Sequence, residues 1–203
     1  MYIPEAFREQ RPEALRDLIR ANSFGVLVTP ADDGPIASHL PFLLDEGREE
    51  HGVLLAHVAR ANPHWRSLAD RESLAIFQGP HAYVSPRWYT TSLAVPTWNY
   101  AAVHAYGRAR LLEDPAEVLA YLERLVRHHD PEWSLPEGDF IPKLVNGIAA
   151  FELPITRLEG KVKLSQNRPE ADRRAVAAAL AVGSPGEASV AALMVARGIA
   201  PER

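Results

Sequence analysis

The sequence predicts a mainly β domain: a small closed or split barrel with peripheral helices. Short runs of strand-forming residues are separated by Gly, Pro and Asp clusters, the punctuation of antiparallel strands. The regular strand–helix alternation of a doubly wound α/β fold is missing. A chain of 203 residues with 47% hydrophobic content can bury the core of one domain, or of one domain with a small appendage.

Taken in order, Pro12 opens a short helix, because its missing amide hydrogen has no helical partner there, and Leu15, Leu18 and Ile19 share one face. Phe24–Val28 is a strand closed by the turn formers PADDGP. Ile36–Leu44 is a second strand, and Pro41 assigns it to an edge or a bulge, since proline cannot donate to a ladder. Val53–Val58 is the third. Asn62 then caps a helix that starts at Pro63 and runs to about Asp70. Leu74–Gln78 is a strand ended by Gly79-Pro80, with Tyr83–Ser85 a separate extended piece. Val103–Leu112 alternates small and large residues around Gly107, where a barrel bends. Pro115 starts an amphipathic helix bearing Val118, Leu119, Leu122, Leu125 and Val126. Gly147–Leu158 is a strand whose apolar pattern, Ile148 and Ala150 and then Phe151, Leu153 and Ile155, predicts two registers joined by a slip or bulge. Pro169 to about Ala181 is a tail helix with Asp172 in its first turn, favourable to the helix dipole. These elements define a domain over residues 1–182, with 183–203 a C-terminal tail or short helix.

Composition removes several function classes. With no cysteine there is no disulfide framework, which suits a reducing compartment. The charged N-terminus lacks the apolar core of a signal peptide. The weakly polar stretch AVAAALAVGSPG is too short to span a bilayer. A cytoplasmic protein with no membrane association is expected. Net charge is −4, without the overall basic excess common in nucleic-acid-binding domains. Residues 157–174 do carry six basic residues against three acidic ones. The eight histidines show neither HExxH spacing nor a cysteine pair, so no metal site is predicted. There is no GxSxG elbow, P-loop or dinucleotide-binding glycine fingerprint.

Three segments stand out as candidate sites. Residues 81–106 pack Tyr83, Trp88, Tyr89, Trp98, Tyr100 and Tyr106 among prolines, serine, threonines and asparagine. Large flat rings with polar tips on stiff backbone suit a subunit interface, a pocket for a planar ligand, or both at once. In HVARANPHW, free amides at the start of a helix capped by Asn62 can receive a phosphate, with Arg60 or His64 adding positive character. Lys161 and Lys163, followed by Gln166, Asn167 and Arg168, are either a solvated connection to the tail helix or a seat for an anion. Two lysines spaced by one residue point the same way on a strand.

Six blocks in order give a more specific reading: MYIPEAF at 1–7, SHLPF at 38–42, HVARANPHW at 57–65, FQGPHAYVSPRWY at 77–89, VPTWNYAAVHAYG at 95–107 and LEGKVKLSQNR at 158–168. Over roughly residues 1–180 the chain resembles the PaiB-like FMN-binding negative transcriptional regulators. That family lies in the FMN-binding split-barrel superfamily, related to pyridoxamine-phosphate-oxidase-like proteins. The resemblance implies a six-stranded Greek-key split barrel and a homodimer holding flavin mononucleotide (FMN) at its interface. It further implies His57, Arg60, Asn62 and His64 at the flavin phosphate and ribityl chain, and Ser38 and His39 beside the isoalloxazine ring. Trp98, Asn99 and Tyr100 would approach from the second subunit. Lys161, Lys163 and Gln166 would complete a phosphate or second-ligand pocket. Catalytic residues are not assigned. Two further readings stand beside the regulator. One is a flavin reductase or oxidase acting on a nicotinamide or another small substrate. The other is a dimer whose site is vacant or takes a different ligand. No helix followed by a tight turn and a basic recognition helix is predicted, which argues against direct DNA binding.

Overall fold

The computed structural model describes residues 1–91, 94–136, 138 and 140–201. Nine strands and five α-helices are assigned among them: β1 (Arg8–Glu9), α1 (Pro12–Ala21), β2 (Phe24–Thr29), β3 (Ile36–Pro41), β4 (Leu43–Asp45), β5 (Val53–Ala59), β6 (Glu72–Val84), β7 (Thr97–Arg108), β8 (Arg110–Leu111), α2 (Pro115–His129), α3 (Phe140–Gly147), β9 (Ile148–Lys163), α4 (Glu170–Ala181) and α5 (Pro185–Ala196). The strands run in the order β3-β2-β6-β7-β9-β5-β4, with β1 and β8 both added to β9. The recorded pairings are antiparallel. This is a mainly β split barrel with peripheral helices, as the sequence predicts. The expected six strands become nine among the described residues, of which β2, β3, β5, β6, β7 and β9 reach six residues or more. The remaining three are two- or three-residue additions.

The chain divides into two compact units. One contains Met1–Ala21, Gln78–Val103 and Glu159–Arg203; the other contains Asn22–Phe77 and His104–Leu158. The second is built around β2, β3, β5 and their partners. Its interior takes Leu27, Phe42, Leu54, Phe77, Phe151 and Leu153, all at most 1% exposed, with Phe42 and Phe77 meeting edge to face at 5.3 Å. A satellite cluster on the other face of β5 packs Leu43, Leu55 and Ala150 under Val118, Tyr121 and Leu122 of α2 and Val145 of α3. The first unit buries Leu15 and Ile19 of α1, Val162 and Leu164, Val176 and Leu180 of α4, and Val190 and Met194 of α5.

Several expectations are corrected. Gly79-Pro80 does not end a strand: β6 runs unbroken from Glu72 to Val84. Pairing with β2 covers only Leu74–Ile76, so by Pro80 there is no β2 ladder left to interrupt. The helix from Pro63 is a 3₁₀ turn ending at Ser67, short of Asp70. β9 carries no slip against β5, because Ile148–Pro154 pairs with Val53–Ala59 in one register. Its unbroken buried run Ala149–Leu153 instead reflects burial on both faces. Phe151 and Leu153 point to the interior, while Ala150 joins the α2–α3 cluster. β7 begins at Thr97, earlier than Val103, and α3 was not foreseen. Residues 185–196 do form a helix, closed at its start by a capping box between Ser184 and Glu187. Pro41 ends β3, an edge strand, as its missing donor requires.

Candidate functional site

In the unit of β2, β3 and β5, Asn62 precedes the 3₁₀ turn, and its Oδ1 accepts the backbone amide of His64 at 3.0 Å. Asn62 Nδ2 donates to Ser38 Oγ at 3.2 Å. Ser38 Oγ lies 2.8 Å from His64 Nδ1. On the other side of the ring, His64 Nε2 lies 2.9 Å from Thr29 Oγ1, itself 2.7 Å from Ser73 Oγ. His64 is 0% exposed, and burial pushes its pKa below the ordinary histidine value. A neutral ring with both nitrogens occupied is a linchpin for the relay, whose outer members are Ser38 and Asn62. Thr29 and Ser73 were missed by sequence reasoning: isolated hydroxyls on strands carry no motif, and only the β2–β6 pairing joins them.

The same turn exposes positive charge. The guanidinium carbons of Arg60 and Arg66 lie 5.3 and 5.5 Å from the Trp65 ring centroid. Trp65 Nε1 donates to the Arg60 carbonyl at 3.1 Å. Among the described residues neither guanidinium has a carboxylate partner. The amide donor expected from this helix start is absent, since Asn62 already satisfies His64 N. His39, next to Ser38 on the edge strand, is exposed and stacks on Phe24 at 6.5 Å. His57 stands apart from the relay: its Nδ1 is 2.8 Å from Tyr121 Oη under α2.

The other unit holds the remaining candidates. Trp98 is 53% exposed, flanked by Tyr83 at 6.1 Å and His81 at 6.4 Å between ring centroids. Lys163 Nζ donates to the Trp98 carbonyl at 2.7 Å and to Thr97 Oγ1. Lys161 Nζ donates to the Tyr2 carbonyl at 3.1 Å and lies 5.4 Å from the Tyr100 ring centroid. Burial, then Lys161 and Arg168, push the Lys163 pKa down. Asn99 is fully buried and bonded to Ser165 Oγ at 3.1 Å. Gln166 is spent on its own bend, accepting from the Leu164 amide at 2.6 Å and donating to the Val162 carbonyl. Asn99 and Gln166 thus shape the backbone, while Trp98, Tyr100, Lys161 and Lys163 carry the aromatic and cationic groups. No group of three His, Asp or Glu side chains placed to hold a metal ion occurs among the described residues.

Strand order and the peripheral helices define a split-barrel fold. The fold is similar to the flavocytochrome Anf3 from Azotobacter vinelandii, with a TM-score of 0.64 and 20% identity over 77% of this chain and 69% of that one. It is also similar to the FAD and heme binding protein from Mycobacterium smegmatis, with a TM-score of 0.60 and 18% identity over 77% and 73%. Residues 1–157 match the family described as "Putative FMN-binding domain". The chain is 38% identical over 178 residues to the protease synthase and sporulation protein PAI 2 of Bacillus subtilis, covering 85% of each. The chain belongs to this PaiB-like FMN-binding family, and its cofactor is FMN. Taken unit by unit, the residues are chemically compatible with that group: the guanidiniums at Trp65 would suit a phosphate and the Ser38 hydroxyl and Asn62 amide polar heteroatoms, while in the other unit the exposed Trp98 ring would suit a flat ring.

Proposed function

We propose that the protein is a dimeric, cytoplasmic FMN-binding regulator of the PaiB type that acts without contacting DNA itself. Residues 1–182 serve as the flavin-binding part, with 183–203 a C-terminal addition whose helix α5 packs on α4. One observation carries the reading: Trp98 and Tyr83, in ring contact, stand 53% and 44% exposed in a single chain. Aromatic rings of this kind are covered by a second subunit or a planar ligand. Arg60 and Arg66 hold the phosphate; Ser38 and Asn62, oriented by His64, face the flavin; Trp98, Tyr100 and Lys163 come from the second subunit. Asn99 and His57 act behind these groups, and His39 borders the ring. Bound FMN supplies one- and two-electron redox chemistry, which the protein tunes and orients.

Two features support an indirect mode of regulation. The tight turn at residues 182–184 joins α4 and α5, yet α5 has neither lysine nor arginine between Pro185 and Ala196. Val190, Ala191 and Met194 of α5 are buried against its own unit. A recognition helix needs an exposed basic or base-reading face. No helix among the described residues is long and apolar enough to cross a membrane.

The visible spectrum of purified protein titrated with FMN tests the cofactor, and sedimentation tests the dimer. Trp98→Ala is expected to weaken FMN roughly tenfold or more and to shift self-association toward monomer. Unchanged flavin affinity and unchanged mass distribution in that variant would overturn the placement of Trp98.

A further inference from the structure

The loop between β9 and α4 encloses a small cavity of about 80 Å³, lined by Tyr89, Thr97, Asn99, Lys163, Asn167 and Arg168 among others. The space has room for ordered water or one compact oxyanion. Three features make it unusual. Tyr89 is 9% exposed, and its buried Oη meets no hydrogen-bond partner. A buried hydroxyl of this kind costs free energy until something accepts its proton. Lys163 gives two of its three N–H groups to Thr97 Oγ1 and the Trp98 carbonyl, leaving a third. The Arg168 guanidinium stacks over the Tyr89 ring at 4.6 Å, and no carboxylate pairs with it among the described residues.

The surrounding carboxylates are committed elsewhere. Glu159 takes the N-terminal ammonium at 2.6 Å, Glu170 takes Arg174 at 2.8 Å, and Asp172 takes the Thr90 amide and hydroxyl at 2.7 and 2.6 Å. Lys161 adds a further positive charge on the same strand face. Among the described residues, Lys163 and Arg168 form no ion pair with a carboxylate, in a protein whose net charge is −4. Ser165, on the cavity wall, holds a left-handed backbone at φ 68°, fixed by its hydrogen bonds with Asn99. Strain of this kind is retained where the loop's conformation is used.

We propose that this cavity is an oxyanion site, separate from the Arg60–Arg66 pair, that seats a phosphate-type group on Tyr89 Oη, Lys163 Nζ, the Arg168 guanidinium and the Asn167 amide. The four groups are hydrogen-bond donors, and two are cations, which suits a tetrahedral anion with acceptors all round. The group belongs either to free phosphate or to a phosphate-bearing nucleotide. The site does not rest on the flavin reading, because inorganic phosphate alone tests it.

The test uses the full chain, the Tyr89→Phe and Lys163→Gln variants, and inorganic phosphate against chloride at equal ionic strength. Phosphate stabilises proteins generally, so the readout is the difference between proteins in the phosphate-induced rise in melting temperature. Tyr89→Phe removes only the unpartnered hydroxyl and is expected to be as stable as the parent in chloride. It should weaken the apparent phosphate affinity roughly tenfold. Lys163→Gln should do at least as much. In the parent protein, phosphate should also slow acylation of Lys163 by an amine-reactive reagent, because a bound anion keeps the ammonium protonated. Titration of FMN and riboflavin identifies the source. Loss of FMN preference over riboflavin in the two variants assigns the site to a flavin phosphate; unchanged preference with lost phosphate response assigns it to a free anion. Equal phosphate responses in all three proteins, with no protection of Lys163, would overturn the proposal. A protein that binds no flavin yet loses its phosphate response in Tyr89→Phe would sink the flavin reading and leave this site standing.

Discussion

His64 is fully buried and bonded through both ring nitrogens, to Ser38 Oγ and Thr29 Oγ1. Burial lowers its pKa from the ordinary 6.5, and the same cause lowers that of His57. With both folded pKa values depressed, the unfolded chain binds more protons on acidification. Stability is therefore full above about pH 6.5 and falls as the pH drops through that value toward the folded pKa. Urea melts from pH 7.5 to 5 should show this decline, and His64→Gln should flatten it. A variant with the parent's slope would remove His64 from this role. At pH 7, His64→Ala leaves Ser38 and Thr29 without their buried partner, and a loss of roughly 2–4 kcal/mol is expected in the same melts. At this scale the sequence made His64 visible but not the hydrogen bonds that bury it. The motif HVARANPHW put it near Asn62, and nothing local announced that Thr29 and Ser73 would close over its far side.

Among the elements, β7 depends on Gly107. A Cβ at that position would lie 2.2 Å from the Pro154 carbonyl oxygen and 2.8 Å from Leu153 Cδ2. Backbone oxygen cannot swing aside as a flexible side-chain end can. Gly107→Ala is expected to destabilise the fold by about 1–3 kcal/mol, measured as a shift in urea midpoint at unchanged slope. β1 and α5 share a second device, Glu9. Its carboxylate accepts from Arg11 Nε at 2.9 Å and Nη2 at 2.7 Å, and also from Arg197, just past the end of α5. The Arg11 hydrogen bond is the largest cause that holds its pKa down, at about 2 against the ordinary 4.5. A depressed carboxylate stabilises above its unfolded pKa, and the contribution disappears as pH falls from about 4.5 toward 2. Glu9→Gln should cost roughly 1 kcal/mol at pH 7, because the network is partly screened by solvent, and little at about pH 1, once the pH has fallen through the folded pKa. Equal losses at both pH values would assign the effect to packing.

For the molecule as a whole, the proposed dimer would couple cofactor binding to assembly. If FMN is held at a subunit seam, each stabilises the other by linkage. Free FMN at about a hundred times its dissociation constant should raise stability by about 2.7 kcal/mol, with a melting temperature that depends on protein concentration. A flavin-induced rise independent of protein concentration would place the cofactor within one chain. The same experiment on Trp98→Ala separates loss of cofactor from loss of partner.

The sequence by itself determined the class of fold and most of its parts. Proline at helix starts, glycine–aspartate turns and alternating apolar runs act within a few residues, so α1, β2, β5, α2 and α4 were legible locally. Ordered motifs also carried the family. Tertiary structure alone decided where local signals compete with pairing or distant burial. β6 runs through Gly79-Pro80, because a strand is set by its neighbours and not only by its breakers. The apolar run of β9 is one register buried on two faces, since α2 and α3 cover the face a shorter chain would expose. The orphaned Tyr89 hydroxyl and the cations around it became a cavity only when residues 89, 97, 163 and 168, far apart along the chain, were brought together. Hydrogen-bond satisfaction is a property of three-dimensional neighbours, and no spacing in the sequence encodes it.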